Sequence, residues 1–202
     1  MLHEKLSRLG ARAALIGAVI VGVAVPLTPH GYDNPLRPVT ALAALIGGIL
    51  IVLGAPALFE RIWDRSFALG MVSYVALMVA ILVFQVALGA IEGILLPYLA
   101  SHGGVPLKPP TAMSVLGLVG LAAQMIGTLG LVAVVFRSRS YPRWLAGLLL
   151  AALVTAVLPI PIQLDAAFIG ASFVVMAAYT LGWRSDNRQP ASDSRPPQTA
   201  RV

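Results

Sequence analysis

The chain has 202 residues, of which 58% are hydrophobic and 11% charged, with a formal net charge of +6 and no cysteine. Soluble domains carry about 25% charged residues, so an ordinary soluble globular domain is excluded. The missing cysteine removes disulfides, thiolate metal centres and a cysteine nucleophile.

The charges are clustered, and uncharged runs separate them at residues 13–32, 38–59, 66–91, 109–136, 144–164 and 166–183. Each run is near or above the roughly 18–20 residues that cross a hydrocarbon core of about 30 Å. They are continuously apolar rather than alternating, which argues against a β-barrel. The expected fold class is all-α, a polytopic membrane protein built as a bundle of six transmembrane helices.

In chain order the helices are expected at 11–28, 39–58, 67–95, 112–136, 143–160 and 165–183. Residues 1–10 then form a short cytoplasmic segment, 11–183 the membrane domain, and 184–202 a disordered cytoplasmic tail. That tail, "RSDNRQPASDSRPPQTARV", is too polar and proline-rich to bury a core. The basic start and apolar first segment resemble a secretory signal, but no small-x-small cleavage site follows, so an uncleaved first helix is expected.

The first helix carries Gly10, Ala14, Ala18 and Gly22 at a spacing of four. Small residues at that spacing let backbones approach closely in lipid. The stripe suits contacts inside the bundle, a homo-oligomer or a partner membrane subunit. The second helix ends in "ERIWDR", whose alternating charges suit a hairpin turn. The third contains the G-x-x-x-G of Gly89 and Gly93, with Glu92 between them. The fourth holds Gln124, the deepest polar side chain, for which a hydrogen bond to Thr155 or Gln85 is expected. Pro159 and Pro161 end or kink the fifth helix, and Trp63, Trp144 and Trp183 fall near one interface.

With six crossings, every one of the 14 Lys and Arg residues except Arg37 and Lys108 falls on the side of the termini. Basic residues stay cytoplasmic, so both termini are expected inside. The same distribution explains the net charge without nucleic acid. The alanine- and arginine-rich composition resembles that of membrane proteins from high-GC bacteria, which implies a bacterial plasma membrane.

Glu92 is the natural candidate for chemistry, because intramembrane carboxylates are commonly functional. At about 1.5 Å per residue it lies near the outer end of its helix. Gln85, Gly89, Glu92 and Gly93 share one face by the spacings i, i+4, i+7 and i+8. His30, Asp33, His102, Lys108 and Asp165 fall on the same outer side. The candidate ligand-binding set is therefore Gln85, Glu92, Gln124, His30 and His102. No metal-ligand spacing repeats, and neither a G-x-S-x-G nor a phosphate-loop motif is present. No metal, cofactor or enzymatic activity is expected.

The size, six expected helices and alanine stripe of the first helix resemble the substrate-binding subunits of energy-coupling-factor vitamin transporters. The resemblance is architectural and assigns no residue a role. Two functions are compatible with the sequence. The first is a non-enzymatic structural or accessory subunit. The alternative is a small-solute transporter or solute-binding transport subunit with an outward polar pocket near Glu92. A filled core between helices three and four would argue against the second.

Overall fold

A computed structural model describes residues 2–29, 34–102, 104, 110–158 and 164–186. His30, Asp33, Lys108 and the tail from residue 187 lie outside the described residues. All regular structure among the described residues is helical.

The first helix, α1, is Leu2–Ala24. It starts at Leu2 rather than at residue 11, because Glu4 sits in its first turn and pairs with Arg8 at 3.3 Å (i, i+4). Hydrogen bonding then runs through Leu36–Ile81, but Ser66 leaves helical geometry (φ −154°, ψ 66°) and the chain reverses there. The rings of Phe59 and Tyr74 meet at 5.2 Å, and a Cβ on Gly48 would lie 2.9 Å from Gln85. This segment is thus a hairpin of two antiparallel arms, α2 (36–65) and α3 (67–102).

The arm α3 changes pitch along its length. It is π-helical over Leu82–Leu88 and Ile91–Leu95, and α-helical again over Leu96–His102. It therefore passes the expected end at residue 95 and incorporates Pro97. Proline lacks an N–H, and its ring crowds the carbonyl four residues back. The wide turn just before it, in which the Leu96 N–H bonds to the Ile91 carbonyl, gives the ring room.

The remaining helices are α4 (Thr111–Ser138), α5 (Trp144–Val157) and α6 (Leu164–Asp186). Helix α5 stops at Val157, short of residue 160. Leu158 is extended (φ −75°, ψ 138°), as expected of a residue that precedes a proline.

Five helices, His3–Ala24, Leu36–Glu60, Ile62–His102, Thr111–Ser138 and Leu164–Gly182, are long and apolar enough to cross a membrane. Helix α5 is apolar but has 14 residues, about 21 Å. The outer faces suit lipid: Leu42, Ile46, Ile49 and Leu53 recur at helical spacing along α2 and are all exposed. Such continuous exposed apolar surface is foreign to soluble monomers.

The six helices form a closed ring in which each packs against its neighbour in sequence and α6 returns to α1. Small residues set the spacing. A Cβ on Gly17 would come within 2.5 Å of the Gly47 carbonyl oxygen, and one on Gly54 would collide with the Gly10 carbonyl. On the other side of α1, a Cβ on Gly170 would lie 2.7 Å from the Ala18 carbonyl and 2.9 Å from Gly22 Cα. The small-residue stripe of α1 is thus occupied within the chain: Gly10 and Ala14 face α2, while Ala18 and Gly22 face α6.

The two ends of the ring differ. One is solid: Leu58, Phe59, Ile62, Leu131, Val134, Val135, Leu145, Phe173 and Met176 are fully buried there. The Tyr141 hydroxyl donates to the Leu58 carbonyl at 2.6 Å and lies 3.2 Å from Thr180 Oγ1, joining three helical regions. The Arg65 guanidinium donates to the Ser138 carbonyl, and Ser7 Oγ donates to Glu60 at 2.8 Å. The start of α1 and the end of α6 are both at this end. So are Lys5, Arg8, Arg12, Arg65, Arg137, Arg139 and Arg143. Among the described lysines and arginines, only Arg37 lies at the opposite end.

Candidate functional site

At that opposite end the helices enclose a cavity of about 480 Å³. All six contribute to its wall: Val21 from α1, with Val25 just after it, Ala41 and Ala44 from α2, Phe84 and Gln85 from α3, Leu121 and Gln124 from α4, Ala156 from α5, and Asp165 and Ile169 from α6. Ile51 and Leu77, both buried, line its deepest part beside the solid half of the bundle. The core between helices three and four is therefore hollow toward one end and filled toward the other.

The π-helical stretch of α3 forms one side. Phe84, Gln85, Leu88, Gly89, Glu92 and Gly93 all line the cavity, and all lie in or beside the two wide segments. Turns of this kind occur frequently at functional sites. Gly93 is needed for closure of the hairpin at the mouth, because a Cβ there would collide with Ala41 Cβ.

Three charged groups line the same cavity: Arg37, Glu92 and Asp165. Arg37 is half-buried and works as a clamp. Its Nε donates to the Glu92 carbonyl at 3.1 Å, and a terminal nitrogen donates to the Pro29 carbonyl at 3.4 Å. It thus ties the start of α2 to the late turns of α3 and to the segment after α1. Glu92 itself is exposed toward the mouth, and Asp165 is half-buried.

Gln124 is the deepest polar side chain of the wall and is 4% exposed. Its amide nitrogen has no hydrogen-bond partner among the described residues. The expected bond to Thr155 is not made: the Thr155 hydroxyl donates instead to the Ala151 and Ala152 carbonyls of its own helix, at 2.8 and 3.0 Å. Gln85 shares the cavity with Gln124 but does not satisfy that nitrogen. A buried donor left unpaired costs about 1–3 kcal/mol.

Of the candidate residues, Gln85, Glu92 and Gln124 are brought together in one wall. His102 is not. Because α3 continues past residue 95, His102 lies beyond the mouth, exposed and stacked on Tyr98 at 4.3 Å, with Nδ1 2.8 Å from Ser101 Oγ. His30 lies outside the described residues. Sequence reasoning missed Arg37 as a member of the site. The signal was present: Arg37, Ala41, Ala44 and Ile51 recur on one helical face, and all four line the cavity. Among the described residues, no group of three His, Asp or Glu side chains is placed to hold a metal ion.

The chain matches no known protein family, and comparison with curated proteins and with solved structures likewise returns no match. What the cavity accepts has to follow from its own chemistry.

Proposed function

We propose that this chain is a six-crossing bacterial plasma-membrane protein that binds a small solute in a cavity opening to the outside. It would act as a solute-binding component of transport. The cavity carries the reading. Its volume lies within the roughly 300–1,000 Å³ of small-molecule sites, and its wall is mainly apolar with a few convergent polar groups. A structural or accessory subunit, the reading that sequence alone put first, needs no such space.

The orientation is supported by charge. The basic residues gather at the solid end with both helix termini, and basic loops remain cytoplasmic. The cavity mouth then faces outward. The chain has no cysteine, so single cysteines report topology cleanly. In intact cells, a membrane-impermeant maleimide is expected to label Ser101→Cys but to reach Lys5→Cys only after permeabilisation. The reverse pattern would refute the orientation.

Solute binding is tested by native mass spectrometry of the protein released from nanodiscs. The wild type is expected to retain a small molecule. Gln124→Leu is expected to lose it while folding at least as stably, because replacing an unpaired buried amide by an apolar side chain removes its desolvation cost. A clean mass for the wild type, or a retained molecule indifferent to Gln124→Leu, would count against the proposal.

A further inference from the structure

The solute-binding reading can be carried to the chemistry of the ligand, because the cavity has three zones along its depth. At the mouth, among the described residues, the carboxylates of Glu92 and Asp165 outnumber the single guanidinium of Arg37. The middle is apolar, with Phe84, Leu121 and Ile169 in its wall. The deep zone is walled by Gln124, an uncharged carboxamide that is 4% exposed.

Each zone sets a requirement. A rim of net negative charge over low-dielectric walls concentrates cations and repels anions. An apolar middle accepts an apolar body and rejects a strongly hydrated one. A neutral carboxamide at depth suits an uncharged polar group and gives no counter-charge to a second ion. We infer that the cavity takes an amphipathic organic cation. Its ammonium group sits at the Glu92–Asp165 rim, its apolar body lies against Phe84 and Ile169, and an uncharged polar group reaches Gln124. The inference rests on the solute-binding reading and fails separately from it.

The test uses the full chain in phosphatidylcholine nanodiscs and three fluorescent probes with one apolar body. Dansylcadaverine is the cation, dansyl pentylamide the neutral form and dansyl-6-aminohexanoate the anion. Fluorescence titration, with empty discs subtracted, gives the three affinities. The cation is expected to bind at least about tenfold more tightly than the anion. Glu92→Gln and Asp165→Asn are each expected to weaken the cation about fivefold and leave the neutral probe unchanged. Gln124→Leu is expected to weaken all three. In discs that also contain phosphatidylethanolamine, competition would assign the ammonium to a lipid headgroup, and unchanged affinity to a free solute; both support a cation at the rim. Equal affinities for the three probes, still lost in Gln124→Leu, would overturn the cation inference and leave the solute-binding reading standing. No saturable binding of any probe would overturn both.

Discussion

Gly54→Val is expected to abolish the folded bundle. A Cβ at this position would collide with the Gly10 carbonyl and come within 2.5 Å of the Ala14 amide nitrogen. Both atoms belong to the backbone of α1, so no rotamer change relieves the contact. The two helices must separate, and with them the packing of Ala11, Ala14 and Ala55, all fully buried. Overpacking a tight interface commonly costs about 1–3 kcal/mol, and backbone-to-backbone collision places this case at or above the upper end. The measurement is the monodisperse fraction and thermal aggregation temperature in mild detergent. Gly147→Val is the control. A Cβ at Gly147 meets nothing within 4 Å, so this variant should behave as wild type. Equal behaviour of the two variants would mean that the α1–α2 contact is not as close as described.

Gly117→Phe is expected to leave the protein folded and fill the proposed ligand site. Gly117, Leu121 and Gln124 lie on one face of α4 by the spacings i, i+4 and i+7, and all three line the cavity. A Cβ at Gly117 meets nothing within 4 Å. Replacing an interior helical glycine contributes about 0.5–1 kcal/mol of helix stability. An aromatic side chain has about 150–250 Å² of surface to bury, and the space open to it is the one a ligand would use. Probe affinity is expected to fall by more than about 100-fold, which is roughly 2.8 kcal/mol, at an unchanged or raised aggregation temperature. Binding that survives the substitution would place the solute elsewhere on the molecule.

The membrane-type helices were legible because uncharged runs, basic clusters and prolines mark most of their ends, though α1 begins at Leu2 rather than residue 11 and α3 runs to His102 rather than residue 95. The contrast between Gly54 and Gly147 shows where that legibility stops. Both are glycines in apolar helices, yet one is pressed against a neighbouring backbone and the other has open space at its Cβ. In lipid the hydrophobic pattern does not separate inside from outside, since both faces are apolar. The same ambiguity hid the hollow. Gln85, Glu92 and Gln124 could be singled out as rare polar groups, but whether they faced one another depended on helix order around the ring.

The π-helical turns were not legible either. They differ from α-helix in hydrogen-bond register, not in residue type, and Pro97 is the one local feature that favours a wide turn before it. That change of register also explains the fate of His102, which a helix ending at residue 95 would have left in a loop free to fold back over the mouth. Arg37 was read as an ordinary outer charge, because a sequence gives no sign that its guanidinium reaches carbonyls on two other segments.

The solid end of the ring sets a limit on what the molecule can do alone. Release of a solute toward that end requires Phe59, Ile62, Leu131, Leu145, Phe173 and Met176 to part, together with the Tyr141 bridge between Leu58 and Thr180. Wetting half a dozen such side chains costs on the order of 10 kcal/mol, so the parted state is populated at only about one part in ten million. On the solute-binding proposal, a chain plugged in this way would hold a solute at one face of the bilayer. A partner that stabilised the parted state would speed its delivery to the other face.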